Sequence, residues 1–397
     1  MSKIDKSRVY FPALDGLRFA AFGLVYLFHG GIPQVGGVLD WAGEPFGWRA
    51  TRKGWNSGMF GQTVLDNGWI GVQLFFILSG FLITTLLLRE EQRTGRIDLR
   101  AFWMRRILRI WPLYYFVVLI TFLIIPWLDR DLDSPKTLEL WSDHLLSFLT
   151  FGGNWSMAFR GQAEYKAVCI LWSVCIEEQF YLFCPLIIAG VRPSRRIPLV
   201  AVGMIVGVIG RTLSSIALER KHVSLLFIPY NTVNQLDTLF AGVLLALILE
   251  ARLVRPKPPR FLSVIAILGA ITLLVRRDLA HGSFIGPIVD YVAIWVVGVI
   301  WVWIATQEQG WIPCILSYRG FVWLGCISYG LYMYHEIAFF LQVWLYDLVG
   351  WFPGQDWMAP IVSLILTIGL AWGSYTMLEG PFLRLKKRWS RVESRPY

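Results

Sequence analysis

The sequence predicts an all-α, polytopic membrane protein with about ten transmembrane helices, both termini cytoplasmic and two long extracytoplasmic loops. Three observations predict it. Of 397 residues 56% are hydrophobic and only 16% charged, and the mean hydropathy is +0.54. Apolar stretches of about twenty residues, the length that crosses a bilayer's hydrocarbon, recur along the whole chain. With the N-terminus placed inside, segments on the inner side carry about twice as many Lys and Arg as those outside, which is the positive-inside bias.

The first span, 12–32, follows Lys3, Lys6 and Arg8 and so begins like a signal peptide. It contains Arg18 and lacks a small-residue cleavage site, which keeps it as a span. The second, 67–88, reads "NGWIGVQLFFILSGFLITTLLL", its apolar run broken by Ser79 and Gly80. A basic segment with Arg89, Arg93, Arg96 and Arg100 leads to the third, 107–127. The fourth, 168–190, contains "LWSVCIEEQFYLFCPL". Spans 197–218, 230–250, 261–276 and 284–305 follow, punctuated by inner basic clusters at 192–196 and 252–260. Spans 319–345 and 358–380 precede a basic tail. The outer loops are 33–66 and 128–167, the second holding the amphipathic run "LELWSDHLLSFLTF", suited to lying along the surface. The chain 1–397 is read as a single integral-membrane domain with no appended soluble domain, no internal repeat and no low-complexity tract.

Composition narrows the function classes. A net charge of +10 could suggest nucleic acid, but the basic residues sit in short inter-span segments and carry topology instead. Twenty Trp and fifteen Tyr suit interfacial belts. The five cysteines show no metal-ligand spacing and read as small buried hydrophobes, so no metal is expected.

Ionisable residues within spans carry the chemistry. Each costs roughly 2.5 kcal/mol or more at a bilayer centre on insertion scales, so they mark internal polar paths. Arg18 and His29 are eleven residues apart, within about 20° of three full helical turns and roughly 16 Å along the axis, so they share one face. Asp15, at i−3, can pair with Arg18. Arg105, Arg106 and Arg109 form a basic helical face ahead of Pro112, either a topology signal or an anion site with guanidinium forks suited to phosphate. Ser173 and Glu177 are one turn apart, with Glu178 about 100° away; at least one of the two carboxylates should face a polar cavity. Glu379 lies near an inner end, and His335 with Glu336 forms a weaker second cluster near the outer end of the ninth span.

In order along the chain, "LDGLRFAAFGLVYLFH", "GVQLFFILSGFL", "RRILRIWPLYY", "LWSVCIEEQFYL" and "LEGPFLR" resemble the motifs of the acyltransferase-3 family of integral-membrane acyltransferases. That family includes bacterial surface-polysaccharide O-acetylases and macrolide acyltransferases. The resemblance covers almost all of the chain. It implies an acyl-CoA donor, most often acetyl-CoA, with no tightly bound cofactor. The implied acceptor is a hydroxyl of a glycan or glycosylated small molecule, and the implied location the bacterial inner membrane, against the lipid bilayer. It maps the functional histidine onto His29 and the arginine onto Arg18. The Ser-Gly-Phe motif falls on Ser79, Gly80 and Phe81, the basic donor-binding motif on Arg105, Arg106 and Arg109, and the glutamate on Glu177. Asp15, Trp172, Ser173 and His335 are supporting positions. The chain departs from the pattern at "WSVCIEE" by apolar changes, and at Gly380, where a basic residue commonly precedes the proline.

The expected mechanism is direct acyl transfer with His29 as general base and Glu177 orienting it. The alternative is a transporter or flippase using Arg18, His29 and Glu177 as an intramembrane relay; a third reading is a non-catalytic lipid-binding protein. CoA-dependent transfer to an acceptor separates the first from the others.

Overall fold

A computed structural model describes residues 10–30, 66–128, 134–163, 165–220, 226–251, 257–275, 285–349 and 359–389, with positions 132 and 222–224. Most of the expected first outer loop, 33–66, lies outside them. Of the described residues 87% are helical and none is in a strand, the outcome expected where backbone polar groups must be satisfied within each segment.

Among the described residues ten long helices form the bundle: α1 (Pro12–Gly30), α2 (Ile70–Thr94), α3 (Leu99–Leu128), α4 (Lys166–Gly190), α5 (Pro193–Glu219), α6 (Thr232–Glu250), α7 (Arg260–Val275), α8 (Ile285–Ala305), α9 (Ser328–Val349) and α10 (Ala359–Trp389). Seven of them, α2 to α6, α8 and α10, are long and apolar enough to cross a membrane. Of the other three, α7 has only 16 residues, while α1 and α9 carry Asp15, Arg18, His29, His335 and Glu336.

Three boundaries differ from those the sequence predicts. α3 starts eight residues before the expected span because Asp98 caps it, its side chain accepting from the Ala101 amide at 2.9 Å. The helix thus takes in Arg100 as well as the basic helical face of Arg105, Arg106 and Arg109 that the sequence predicts. The expected span 319–345 is split: Arg319–Cys326 ends where Ile327 leaves helical geometry, and α9 begins at Ser328. The break brings Gly325 against α1, where a Cβ would lie 1.9 Å from the Asp15 carbonyl oxygen. Finally, α10 continues past residue 380 through a π-helical turn at Tyr375–Glu379.

The most extensive packing among the described helices joins α2 to α6. A Cβ on Gly80 would sit 2.1 Å from the Leu239 carbonyl oxygen, and one on Gly242 2.1 Å from that of Ile77. The two backbones touch, as small residues allow between membrane helices. The amphipathic run of the second outer segment is helical over Pro135–Leu149. Leu140, His144 and Phe148, spaced by four, are buried, while Leu138, Leu146 and Leu149 are exposed, so one stripe docks on the bundle. Asn154 and Gln179 tie this cap to α4 and α6, Gln179 Nε2 donating to the Asn154 side chain at 2.9 Å and Thr232 Oγ1 donating to Gln179 at 2.6 Å.

A fully buried ion pair joins α5 to α6. Arg211 of α5 and Asp237 of α6 are both fully buried; two guanidinium nitrogens reach the carboxylate at 2.6 and 2.8 Å, and a third contact goes to the Asn234 carbonyl. The Tyr291 ring of α8 covers the guanidinium at 3.7 Å. Arg211→Leu leaves Asp237 buried and uncompensated, and is expected to cost about 3–5 kcal/mol. Arg211→Leu with Asp237→Leu should recover most of that loss in thermal unfolding of the micelle-purified protein. A single variant as stable as the parent would show that the pair holds nothing.

Candidate active site

The candidate side chains form a column through the bundle between α1, α2, α3, α4 and α9. At its lower end α1 presents Asp15 and Arg18, joined at 2.8 Å as their one-turn spacing predicts. Asp15 is buried and Cys326 lies 3.9 Å from its other oxygen, so the pair is held from the split-helix side.

The basic face of α3 divides into two kinds of arginine. Arg105 is bound: it donates to Glu90 at 2.8 Å and to the Trp389 carbonyl at 2.7 Å. Glu90, buried at the end of α2, also accepts the Asp98 amide. Arg89 meets Glu250 through two nitrogens at 2.8 and 3.2 Å, and Arg196 meets Glu91 at 2.6 and 2.7 Å. These bidentate pairs clamp α2 to α5 and α6 at the basic end. Arg106 and Arg109 make no hydrogen bond to a carboxylate among the described residues. The Arg106 guanidinium lies over the rings of Phe102 at 5.4 Å and Tyr181 at 5.5 Å, and its buried Nε has no partner. Of the three arginines on this face, Arg106 faces the column, while Arg109 acts electrostatically on the buried Glu379 carboxylate.

Above them, Glu177 accepts a hydrogen bond from Ser79 Oγ at 2.6 Å, and Tyr181 donates to the same Oγ at 3.0 Å. Arg18 and Arg106 both act on this carboxylate electrostatically. Glu178 accepts from Trp111 Nε1 at 2.8 Å, and its other oxygen is buried without a partner. Arg18, Ser79, Arg106, Glu177 and Glu178 are all only partly buried although they sit amid packed helices. Ser79 thus faces the column. Gly80 and Phe81 do not: Gly80 is filled by α6 backbone, and Phe81 is fully buried beside Phe11.

Higher still, Ser173 meets the Tyr332 hydroxyl at 2.7 Å, which joins α4 to α9. Trp172 packs edge-on against Phe76 and beside Tyr230. At the top, His29 and His335 stand with ring centroids 5.0 Å apart. His29 Nδ1 lies 3.0 Å from the Val25 carbonyl oxygen, and His335 Nδ1 2.6 Å from that of Tyr332. A carbonyl only accepts, so both Nδ1 atoms carry the hydrogen and both Nε2 atoms present lone pairs. Glu336 Oε1 lies 3.9 Å from His29 Nε2 and 4.0 Å from His335 Nε2.

The carboxylate beside His29 is therefore Glu336. Glu177, expected to orient His29, is engaged by Ser79 and makes no contact with the imidazole, because α4 places it about a turn below Ser173 while His29 lies at the top of α1. The sequence places His335 and Glu336 together near an outer helix end; what it lacks is any sign that α9 packs against α1. Glu90, Tyr181 and Tyr332 were missed for the same reason. Their partners lie 15, 102 and 159 residues away, beyond any helical periodicity.

The acyltransferase domain family matches residues 11–378. A putative O-acetyltransferase of Staphylococcus aureus strain COL is 26% identical over 399 residues, covering 96% of this chain and 58% of that protein. The peptidoglycan O-acetyltransferase OatA of Listeria monocytogenes is 26% identical over 397 residues, covering 94% of this chain and 56% of its own. The O-acetyltransferase OatA of Staphylococcus aureus strain NCTC 8325 is 26% identical over 403 residues, at 94% and 57%. The chain thus spans less than two thirds of the length of the curated relatives it matches. No solved structure matches it.

The two kinds of arginine make a prediction. Arg105→Ala strands the buried Glu90 carboxylate and should cost about 3–5 kcal/mol, while Arg109→Ala should lower the unfolding temperature far less. Equal shifts would remove Glu90 as the reason for the difference.

Proposed function

The chain belongs to the acyltransferase-3 family, and from that premise we propose that it moves an acyl group, acetyl in the simplest case, from acyl-CoA on the cytoplasmic side of a bacterial inner membrane to a hydroxyl of a glycan acceptor. The observation that carries this reading is the polar column that runs from Arg106, whose guanidinium meets no carboxylate by hydrogen bond among the described residues, to a histidine whose basic nitrogen lies 3.9 Å from a carboxylate.

The donor's phosphates are met by Arg106 and Arg109, which suit phosphate oxygens as guanidiniums. Its pantetheine arm lies along the column past Arg18, Ser79 and Glu177. Roughly 16 Å of helix axis separates Arg18 from His29, a length such an arm spans when extended. The thioester then sits beneath His29, and the acceptor enters from the side capped by residues 135–160.

Transfer is direct. The acceptor oxygen bonds to the thioester carbon as its proton passes to His29 Nε2; the carbon–sulfur bond breaks, and the leaving sulfur takes that proton from the His29 imidazolium, giving free CoA and the neutral base. The Nδ1 contact to Val25 holds His29 in the tautomer this requires. Glu336 stabilises the imidazolium that forms, the role a carboxylate plays beside other histidine bases. Arg18 and Glu177 position the arm by charge and hydrogen bonding. The listeria relative, named for peptidoglycan, suggests cell-wall glycan as the acceptor to test first.

His29→Ala should lower CoA-dependent acetyl transfer by about 10²–10⁴-fold, the usual contribution of a general base, with folding and donor binding retained. Transfer at the parent rate would take His29 out of the reaction. Arg106→Ala should weaken CoA binding in calorimetry; unaltered affinity there would leave the guanidinium a packing residue. Accumulation of acetylated glycan by the parent protein, and none by a vector control, separates an enzyme from a transporter.

A further inference from the structure

The group at the top of the column has a property that general-base chemistry does not require. Both imidazoles tie Nδ1–H to a backbone carbonyl of the preceding helical turn, Val25 for His29 and Tyr332 for His335. Two Nε2 lone pairs and the Glu336 carboxylate are thereby aimed at one point. Donor atoms of the three side chains all lie within 4.8 Å of one another. His335 is fully buried, and its Nε2 has no hydrogen-bond partner. An electron-poor group among these donors would supply the partner that the buried His335 Nε2 lacks.

We propose that His29 Nε2, His335 Nε2 and a Glu336 oxygen form a binding site for a single divalent transition-metal ion of the zinc class. Two imidazoles and one carboxylate are a zinc ligand set that leaves a fourth position open. The tie from each Nδ1–H to a carbonyl is the outer partner that metal-bound histidines have, fixing tautomer and ring orientation. Bonds of roughly 2.0–2.2 Å to each donor draw the three atoms slightly closer than the present 3.9 and 4.0 Å, a movement within side-chain reach. Imidazole donors favour zinc-like ions over magnesium or calcium, which take oxygen ligands. The Lys166 ammonium acts on both His29 and Glu336 and opposes a cation, so the ion is exchangeable rather than a permanent part of the fold.

The consequence rests on the functional reading above. An ion on His29 Nε2 occupies the lone pair that takes the acceptor's proton, so metal occupancy and transfer exclude each other. Zinc is then an inhibitor acting at the base itself.

The test uses the full chain purified in detergent with any affinity tag removed. Cobalt(II) titration should give one ion per chain by elemental analysis, with a visible absorption band that zinc abolishes. His335→Gln and Glu336→Gln should each weaken cobalt binding at least about 10-fold, the loss that even outer-shell partners cause. In the unmutated protein zinc should protect His29, but not His222, from carbethoxylation mapped by mass spectrometry, a readout that needs no variant to fold. Zinc should suppress acetyl transfer, and a chelator should restore it. No one-per-chain ion, equal affinity in both glutamine variants, or His29 labelled at saturating zinc each overturns the site. Binding is read without turnover, so the two readings fail separately. One bound ion together with an active His29→Ala variant sinks the base and keeps the site; no ion together with an inactive His29→Ala variant does the reverse.

Discussion

A charge placed within an apolar bundle must be met by protein, and this requirement organises the molecule. In hydrocarbon an unpaired ion costs several kcal/mol, so every buried ionisable side chain dictates which helix packs beside it. Arg105 with Glu90, Arg89 with Glu250, Arg196 with Glu91 and Arg211 with Asp237 are places where helices cannot slide or rotate without stranding a charge. Asp15 and Arg18 meet the same requirement within α1. Backbone contact at Gly80 and Gly242 then sets how closely α2 and α6 approach.

Against that background, the groups left unsatisfied stand out. Arg106, Glu178 and His335, which lie along the column, each keep a buried polar atom without a partner, as do seven other described side chains, Arg211 at its Nε among them. The arginines of α3 illustrate the division well. Arg105 is spent on holding α2 and α10, whereas Arg106, one residue on and about 100° round the helix, faces aromatic rings and the column. A basic cluster that reads as one unit in sequence is thus two, one structural and one open to a ligand.

The top of the column joins the two themes. His29 and His335 come from helices at opposite ends of the chain, and each has its tautomer set by its own helix backbone through the carbonyl of the preceding turn. Local helical geometry prepares the nitrogen; the packing of α9 on α1 brings the second nitrogen and the carboxylate to it. A proton, an acceptor hydroxyl and a metal ion all compete for the same lone pairs, which links the proposed chemistry to its proposed inhibition.

The sequence by itself determined the all-helical membrane class, the positions of most long helices, the Asp15–Arg18 pair and the shared face of Arg18 and His29. Each of these rests on apolar run length or on a spacing of 3.6 residues per turn, which are local properties of the chain. It also marked Glu177 and His335 as residues that lipid would not tolerate. Only the tertiary structure decided their partners. Glu177 turns to Ser79, Glu336 to His29, Glu90 to Arg105 and Tyr332 to Ser173, across separations no periodicity encodes. The split before α9 was hidden as well, because the break at Ile327 interrupts no apolar run and reflects the approach of Gly325 to α1. Pairing between helices depends on which faces are pressed together, and that is a property of the assembled bundle rather than of any one segment.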